Sequence, residues 1–271
     1  MNSYDVSIII PTLNEEKNIA TCIQAIKDQS FPQERIEIIV VDCNSSDKTV
    51  AIAGQYTDNI YTSDPGWSVQ RNLGIEKSKG KYIYYLDADM ILSENVIRKC
   101  YDACENEGYI ALFVPEIIIG EGFWINVRNF ERSFYNATCV ESERFVNREK
   151  FLEIGGFDVS LFAGEEWDFN RRISETGPVG IIDAPVYHNE GKFNLKKYLN
   201  KKGYYSTTVH RYINKWGKND PLVRKQLGIW YRFFGVFIEN GKWIRLVKHP
   251  ILTVCMYFLR FMVGIQFIRN R

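Results

Sequence analysis

Cysteine is sparse in this sequence, and its placement excludes the usual cysteine-based sites. The 271 residues include six cysteines, and no two of them form a C-x-x-C pair. Zinc ribbons and thioredoxin-like redox motifs are therefore not indicated. Cys22, Cys100 and Cys104 fall on apolar positions of predicted helices. We expect them to be buried and reduced, as is typical of a cytosolic protein.

Several other signals are missing too. Residues 1–5 carry no basic run and no cleavage site, so we expect no signal peptide. No G-x-G-x-x-G follows the first predicted strand, which disfavours a dinucleotide-dependent dehydrogenase. The loop at 12–16 has no glycine, which disfavours a nucleotidyltransferase with a Gly-rich phosphate loop. Without low-complexity segments or internal repeats, neither disorder nor a solenoid is indicated.

The near-neutral total charge conceals two parts of opposite sign. The net charge is +1, but residues 1–191 contain 17 basic and 31 acidic side chains, a net of −14, and residues 192–271 contain 17 basic and 2 acidic ones, a net of +15. Such a split indicates an anionic partner for the second part. The candidates are membrane lipid, nucleic acid and the acidic first part. A merely solvated basic face is the alternative interpretation.

Short β-branched segments alternate with amphipathic ones in the first part of the chain. Strands are predicted at 6–10, 36–41, 60–61 and 82–86, with helices between them. This alternation is typical of βαβ units and a mostly parallel sheet in an α/β fold. Because ligands bind at the carboxyl ends of such strands, the polar residues there should share one cleft. They are Asn14, Glu16, Asp42, Asp87 and Asp89.

Asp87-Ala88-Asp89 is the first candidate site. Two carboxylates one residue apart, directly after a buried strand, can reach a divalent cation and a sugar hydroxyl together. Mg²⁺ and Mn²⁺ prefer oxygen ligands and commonly bridge a diphosphate. A cation so bound offsets the charge of a departing nucleotide diphosphate. A turn-forming aspartate at the end of a strand is the alternative interpretation.

Asp42 and Arg71 are candidates for nucleotide recognition. The Asp42 carboxylate can accept the N–H of a pyrimidine or guanine base, and its alternative role is a helix N-cap or Asx-turn. The Arg71 guanidinium can pair with a phosphate in a bidentate way. The alternative for Arg71 is a surface salt bridge.

Candidates for the reaction itself lie later in the chain. Glu165, Glu166 and Asp168 place three acids within five residues beside Trp167, a pattern that suits a general base in an apolar setting. The charged first turn of a helix, favoured by the helix dipole, is the alternative. His188 follows a predicted strand and could complete a metal shell as a neutral imidazole. A structural histidine explains it equally well.

As an ordered set, these motifs resemble glycosyltransferase family 2 over roughly residues 5–190. The set comprises the segments 7–16, 40–49, 71–72, 86–89, 155–158 and 164–168. The resemblance implies a GT-A fold with a Rossmann-like nucleotide-binding half. It also implies an inverting mechanism, in which an acceptor hydroxyl, deprotonated by a carboxylate, displaces the nucleotide diphosphate from the anomeric carbon. The implied cofactor is Mn²⁺ or Mg²⁺, and UDP is favoured over GDP.

The resemblance assigns roles to individual residues. The nucleotide-sugar pocket would be lined by Pro11, Thr12, Asn14, Glu16, Asp42, Arg71, Asp87 and Ala88. Within it, Asp42 would hold the base and Asp87 would face the ribose. Asp89 would bind the metal, and His188 could be a further metal ligand beside the diphosphate.

Two departures from the family pattern concern the base and the nucleotide. The family usually has Glu-Asp where this chain has Glu165-Glu166. In that register Glu166 would be the general base, one methylene longer than expected, with Glu165 or Asp168 as alternatives. Cys43 stands where the family often has another aspartate, which leaves base recognition to Asp42 alone.

Two apolar runs, 227–238 and 251–268, occupy the C-terminal part of the chain. The second approaches the ~20 residues that a membrane span needs. Arg260 at its middle, however, would cost about 2.5–3.5 kcal/mol on insertion. We therefore expect helices that lie in the membrane interface, with a single span as the alternative. Aromatic and basic residues that support this expectation are Trp230, Tyr231, Arg232, Trp243, Arg245 and Lys248.

The sequence thus predicts a GT-A domain over 1–192 and a basic, aromatic, mainly helical, membrane-associating extension over 193–271. The predicted function is transfer of a sugar from a nucleotide-sugar donor to a hydroxyl or phosphate acceptor, lipid-linked, at the cytoplasmic face of a membrane. The regular apolar runs and the donor-site motifs argue against a nucleic-acid partner. The alternatives are a non-catalytic nucleotide-sugar-binding membrane module and a nucleotidyltransferase.

Overall fold

The structure is a computed structural model that describes residues 4–269, apart from the side chains of residues 204–207 and 268. The strands are β1 (Val6–Thr12), β2 (Ile36–Asp42), β3 (Ile60–Thr62), β4 (Tyr82–Tyr85), β5 (Met90–Leu92), β6 (Ala111–Phe113), β7 (Glu116–Glu121), β8 (Glu143–Asn147), β9 (Val179–Ile181) and β10 (Val186–Lys192). The helices are α1 (Ile19–Lys27), α2 (Thr49–Ala53), α3 (Trp67–Lys77), α4 (Val96–Glu107), α5 (Phe123–Arg132), α6 (Arg148–Glu153), α7 (Glu165–Ser174), α8 (Leu195–Thr208), α9 (His210–Trp216), α10 (Pro221–Leu227), α11 (Val236–Ile238), α12 (Trp243–Lys248) and α13 (Pro250–Arg269). Single turns of 3₁₀ helix lie at Gln33–Arg35 and Glu239–Gly241, and a π-helical turn lies at Tyr231–Gly235.

The described residues form two compact units. The first comprises residues 4–116, 142–159 and 168–189, and the second comprises Ile117–Glu141, Ser160–Trp167 and residues 190–269. The chain leaves the first unit for the last time after Asn189, which is close to the predicted boundary at residue 192. The second unit also includes two earlier segments that the sequence prediction placed in the GT-A domain.

A seven-stranded sheet of order β3-β2-β1-β4-β8-β6-β9 is the centre of the first unit. Strand β1 pairs in parallel with β2 and β4, as β2 does with β3 and β6 with β9. Strand β8 is antiparallel to both β4 and β6. The predicted α/β fold with a mostly parallel sheet is confirmed. A second sheet has the order β5-β10-β7.

Both faces of the central sheet are buried, which explains its continuous apolar strands. In β1, Val6, Ile8 and Ile10 join a cluster that contains the apolar face of α1, whereas Ile9 packs in a separate cluster with Ile75 of α3. All seven residues of β2 are buried. The polar side chains Ser7 and Glu37 near the start of these strands are buried and bonded to each other at 2.6 Å, whereas Thr12 and Asp42 lie at the carboxyl ends, where the chain leaves the sheet.

The second unit is helical and has its own core. Helices α5, α11 and α13 and the π-helical turn pack through Val127, Phe134, Phe237, Met256 and Leu259, among others. The expectation that Tyr231 lies at a membrane interface needs correction here, and the structure also places Arg260. Arg260 is 7% exposed and pairs with Glu131, and Tyr231 is 8% exposed. Because the helices pack on one another, both side chains face this core and not a lipid surface.

Helix α13 combines this buried face with a long apolar exposed face. Within the described residues, the window Pro250–Phe267 is long and apolar enough to cross a membrane, with a mean hydropathy of 1.5, and 17% of it is buried. Length and composition alone do not distinguish a span from a helix that lies on a surface.

Candidate active site

The carboxyl ends of β1 and β2 lie side by side and hold Asp42 in a defined position. Thr12 and Asp42 are partners in the parallel register. The Thr12 hydroxyl donates to Asp42 Oδ1 at 2.9 Å, and Ser45 donates its hydroxyl to Oδ1 at 2.6 Å and its backbone N–H to Oδ2 at 2.8 Å. The contact with Ser45 is an Asx-turn of the kind that the alternative interpretation of Asp42 expected. Oδ2 accepts one of these bonds and keeps a lone pair for a further donor.

Asn14 and Glu16 join the loop after β1 to the loop after β2. Asn14 has a left-handed backbone (φ 56°), and its Oδ1 accepts the N–H of Ser46 at 2.9 Å. The Glu16 carboxylate accepts the N–H of Lys48 at 3.2 Å. Both side chains are exposed, and Pro11 lies within β1 opposite Val41. Their contacts shape the two loops at the sheet end where the nucleotide pocket is predicted.

Gln70 of α3 links the same two strands, and the sequence analysis did not single out this residue. This side chain is 4% exposed. Its amide donates to the backbone carbonyls of Thr12 and Val41, at 2.9 Å each. One side chain of α3 thereby holds the last residues of β1 and β2 in register.

Just after β4, the half-buried Asp87 forms an ion pair with the buried Arg71. Arg71 Nη2 lies 3.1 Å from Asp87 Oδ1, and the guanidinium stacks on the rings of Tyr85 and Phe157 at 4.9 and 5.4 Å. Arg71 is 1% exposed, so the alternative of a surface salt bridge is wrong. Burial alone would raise the pKa of Asp87, but Arg71, together with Arg144 and His188, lowers it. The arrangement keeps Asp87 ionised.

The Gly155-Gly156-Phe157 turn packs against α3 through Asn72. Asn72 donates from Nδ2 to the carbonyl of Phe157 at 2.8 Å and accepts its N–H at 2.9 Å. Gly156 has φ of 68°, and a Cβ there would lie 2.7 Å from Asn72 Oδ1. Glycine is required because the turn approaches the amide too closely for any side chain. These residues support the Phe157 ring on which Arg71 stacks.

His188 joins Asp89 to a residue that the sequence did not single out, Glu116. His188 Nε2 lies 3.2 Å from Asp89 Oδ2, and Nδ1 lies 2.8 Å from Glu116 Oε1. Strand pairing of β10 with β5 sets this position, since His188 is opposite Met90 in the register. Burial alone would lower the pKa of His188, but hydrogen bonds with Asp89 and Glu116 raise it to about 10.

Arg144 on β8 completes a chain of alternating charges. Its Nη2 lies 3.1 Å from Glu116 Oε2, and its Nη1 lies 3.6 Å from Asp87 Oδ2. The chain runs from Asp89 through His188, Glu116 and Arg144 to Asp87 and ends at Arg71. Both acids of the Asp87-Ala88-Asp89 motif are therefore held in one network.

The donor set at Asp89 and His188 fits part of a divalent-cation shell. Among the described residues there is no group of three or more His, Cys, Asp or Glu side chains arranged to hold a metal by themselves. Mg²⁺ and its relatives are commonly held by one or two carboxylates together with substrate phosphates and water. A carboxylate and an imidazole on one side of the cation match that pattern, provided that Nε2 is deprotonated.

The three acids predicted for the general base occupy different surroundings. Glu165 and Glu166 begin α7 in the second unit and are half-buried. Asp168, in the first unit, is 0% exposed, and its Oδ2 lies 2.7 Å from Arg172 Nη2. Arg172 also donates to the carbonyls of Ile154 and Gly156, at 2.7 Å each. Burial and this ion pair make Asp168 unsuited to meet an acceptor.

Gly164, directly before these acids, is fixed by the close approach of Tyr212. The glycine has φ of 86°, and a Cβ there would lie 2.9 Å from Tyr212 Cγ. Tyr212 in turn packs edge-on against Trp167, with ring centroids 5.8 Å apart. The start of α7 is thus positioned by packing within the second unit.

Comparisons with known proteins agree with this fold. The glycosyl transferase family 2 model matches residues 7–162. Glycosyltransferase AglE of Haloferax volcanii is 41% identical over 195 residues, which cover 64% of this chain and 62% of AglE. This match spans less than two thirds of AglE. A second match, to the minor teichoic acid biosynthesis protein GgaB of Bacillus subtilis, is 27% identical over 209 residues, which cover 69% of this chain and 23% of GgaB.

Solved structures show the same architecture at low sequence identity. TarS 1–349 of S. aureus, in complex with UDP-GlcNAc, has a TM-score of 0.61 at 14% identity and covers 97% of this chain and 89% of its own. Mannosyltransferase PcManGT from Pyrobaculum calidifontis, in complex with GDP-Man and Mn²⁺, has a TM-score of 0.63 at 16% identity, with coverage of 98% and 85%. The chain belongs to glycosyltransferase family 2 and has the GT-A fold.

Proposed function

We propose that the protein is an inverting glycosyltransferase that moves a sugar from a nucleotide diphosphate, in the first place UDP, to a hydroxyl or phosphate of a lipid-linked acceptor. The observation that carries the proposal is the arrangement at the ends of β1, β2 and β4. Asp42 there is fixed with a lone pair to spare, Asp87 is kept ionised, and Asp89 adjoins an imidazole.

Asp42 and Asp87 would recognise the nucleoside. Asp42 Oδ2 would accept an N–H of the base with the lone pair that the N–H of Ser45 does not use. Asp87, kept ionised by Arg71 and Arg144, would accept ribose hydroxyls. Arg71 would act through Asp87, since its guanidinium is buried against two rings. The UDP-GlcNAc complex of TarS supports UDP, and the GDP-Man complex of PcManGT makes GDP the second nucleotide to test.

Asp89 and His188 would hold Mn²⁺ or Mg²⁺ together with the donor diphosphate. The cation, when bound, offsets the negative charge that develops on the departing diphosphate. Glu116 would orient His188 by accepting a hydrogen bond at Nδ1, which leaves Nε2 directed at the side of Asp89. A metal requirement is supported by the Mn²⁺ in the PcManGT complex.

Glu166 would be the general base, with Glu165 as the alternative. The carboxylate would take the proton of the acceptor hydroxyl while that oxygen attacks the anomeric carbon opposite the leaving diphosphate, which inverts the configuration. Asp168 is not proposed as the base, because it is buried in an ion pair with Arg172. The half-buried setting of the two glutamates suits a base that must be ionised and still reach a substrate.

A thermal-shift titration with UDP-sugars and GDP-sugars, with and without Mn²⁺, tests the donor site. Donor binding to the folded state raises the melting temperature by mass action. We expect a Mn²⁺-dependent shift with UDP-sugars, lost in Asp89→Ala together with transfer. Slow donor hydrolysis without acceptor would separate an enzyme from a non-catalytic module. Full transfer by Asp89→Ala with metal present would refute the assignment.

Membrane association is the second part of the proposal, and the exposed face of α13 supports it. Five apolar side chains recur there at intervals of three and four residues and are 38–70% exposed: Ile251, Val254, Phe258, Phe261 and Ile265. We call this set the α13 stripe. Arg260, on the opposite face, is compensated by Glu131 within the unit. A helix with one lipid-facing side and one protein-facing side would lie in the plane of the interface.

Vesicle co-sedimentation tests the α13 stripe. We expect the protein to bind phosphatidylcholine vesicles that contain anionic phosphatidylglycerol, and alkaline carbonate to release it, because the helix does not span. Phe261→Asp should abolish binding while the donor-induced thermal shift remains. Leu152→Asp, an equally drastic change at a 47% exposed apolar residue of α6, is the matched control. Binding that survives Phe261→Asp, or resists carbonate, would contradict the in-plane arrangement.

A further inference from the structure

A balanced set of ion pairs lies inside the second unit. Glu131 of α5 is 4% exposed and receives Arg260 Nη1 at 2.7 Å, Arg128 Nη1 at 3.0 Å and the hydroxyl of Tyr135 at 2.6 Å. Arg128 also pairs with Glu190 at 2.9 Å. Two guanidinium groups thus match two carboxylates, and this part of the cluster is neutral.

Lys202 and Arg232 add two positive charges that this set does not compensate. Lys202 Nζ lies 5.8 Å from the centroid of the Tyr198 ring, and the Arg128 guanidinium carbon lies 4.8 Å from the same centroid. The Arg232 guanidinium carbon lies 5.9 Å from the ring of Tyr135. Among the side chains that the structure describes, neither cation has a carboxylate partner in a salt bridge. The cluster therefore carries an excess of two positive charges when Lys202 is protonated.

This excess charge is held in surroundings that disfavour it. Lys202 and Arg232 are half-buried, where water compensates a charge only in part. Burial and the neighbouring Arg128 lower the pKa of Lys202 to about 7, although Glu131 acts in the opposite direction. An anion bound at this cluster would offset both effects, because opposite charge stabilises a protonated side chain.

Arginine and lysine are the side chains that proteins commonly use to bind phosphate. The guanidinium offers a planar fork of N–H donors to phosphate oxygens, and the ammonium adds a compact point charge. Two positive charges also match a phosphate dianion better than a single carboxylate. Arg232 follows Trp230, which is 71% exposed, and the α13 stripe belongs to the same unit. A phosphate bound here would belong to a molecule with an apolar tail.

We propose that Lys202 and Arg232 bind the phosphate of a lipid-linked acceptor, an inference that rests on the proposed glycosyl transfer and names the class of acceptor. The ligand is a phosphate monoester or diphosphate on a long apolar chain. Its phosphate occupies the cationic side of the cluster, while Glu131 and Glu190 keep Arg128 and Arg260 in place.

Calorimetric titration of the full chain with geranyl phosphate, a water-soluble prenyl monophosphate, tests this site without donor or metal. We expect saturable binding that Lys202→Met and Arg232→Met each weaken by at least about tenfold, the scale of one charge-assisted hydrogen bond. Lys197→Met, which removes the same charge from an exposed position of α8, is the matched control and should bind normally. Donor-induced thermal shifts of all variants report whether they are folded.

The remaining measurements distinguish a lipid phosphate from inorganic phosphate as the ligand. They also distinguish a failure of this phosphate site from a failure of the proposed glycosyltransferase function. Inorganic phosphate should bind more weakly than geranyl phosphate, and geraniol should not bind. Equal affinity for inorganic phosphate and geranyl phosphate would overturn the assignment of a lipid ligand. Unchanged binding in both Lys202→Met and Arg232→Met would overturn the site itself. Loss of the donor-induced shift in the wild-type chain would refute the glycosyltransferase proposal instead, because the geranyl phosphate titration contains no donor.

Discussion

His188 Nδ1 lies 2.8 Å from Glu116 Oε1, while its Nε2 lies 3.2 Å from Asp89 Oδ2, so one imidazole is held between two carboxylates. Glu116 also pairs with Arg144, so removing its charge should weaken the positioning of both His188 and Arg144. We expect Glu116→Gln to weaken Mn²⁺-dependent donor binding about 10–100-fold, the usual cost of losing a partner of a metal ligand. Mn²⁺ titrations at saturating UDP-sugar, read as thermal shifts, measure the change.

An exposed glutamate on a nearby part of the chain provides the control for Glu116. Glu107 ends α4 and is exposed. Glu107→Gln removes the same charge and should leave the Mn²⁺ dependence at the wild-type value. A Glu116→Gln protein with wild-type Mn²⁺ affinity would mean that His188 does not need this partner.

Substitutions of the three acids near the start of α7 should differ in whether they reduce transfer or stability. We expect Glu166→Gln to lose transfer by about 10²–10⁴-fold, the contribution of a general base, while its donor-induced thermal shift stays intact. Asp168→Asn should instead lower the melting temperature, because it leaves the half-buried Arg172 without its carboxylate partner, at a cost of up to about 3–5 kcal/mol. If Glu165→Gln is the inactive and stable variant, Glu165 is the base.

How much of the site could be predicted depends on how far apart in the sequence the contacting residues are. Asp42 and Asp87 follow directly from strand pattern, because parallel strands bring their carboxyl ends to one edge. Gln70, Glu116 and Arg144 give no such signal. Glu116 meets His188 across 72 residues and Arg144 across 28, and both Glu116 and Arg144 lie in segments for which no strand was predicted. Such pairs follow from strand order, which composition and periodicity do not determine.

The same limit applies to the C-terminal helices. The sequence shows Arg260 in the middle of an apolar run, where it disfavours insertion as a span but indicates no partner. Its partner Glu131 is 129 residues away, on a helix that the sequence analysis did not delimit. The apolar pattern predicted an amphipathic surface helix, but only packing reveals which of its faces is buried.

Gly164 offers a stability test in which the backbone and packing effects can be separated. A Cβ at Gly164 would lie 2.9 Å from Tyr212 Cγ, and its φ of 86° is unfavourable for alanine. Gly108 has a similar φ of 76° but no atom within 4 Å of the added Cβ. We expect Gly108→Ala to cost about 1 kcal/mol from the backbone alone. Gly164→Ala should cost about 1–3 kcal/mol more, from the clash.

Urea unfolding of both glycine variants measures the difference. The ring of Tyr212 is fully buried and packs against Trp167, so it cannot move aside without disturbing the start of α7. Gly164→Ala should therefore also reduce transfer. Equal losses of unfolding free energy in the two variants would show that the Tyr212 contact is not tight in solution.

Glu131 should make the second unit sensitive to acid. Burial alone would raise the pKa of Glu131, but Arg260 and Arg128 lower it to about 2, from an ordinary value of 4.5. The unfolded chain therefore binds more protons in this range than the folded one. The stabilisation is complete above about pH 4.5 and is lost as the pH falls toward 2. Melting temperatures between pH 7 and pH 3 should fall for the wild type.

Glu131→Gln should change both the level and the slope of that curve. At pH 7 the variant leaves two buried guanidinium groups without their shared carboxylate, which costs about 3–5 kcal/mol. Below pH 4.5 the wild type loses the same interaction, so the two curves should converge. Glu107→Gln, at an exposed position, should follow the wild type throughout. Parallel curves for wild type and Glu131→Gln would mean that other carboxylates govern acid unfolding.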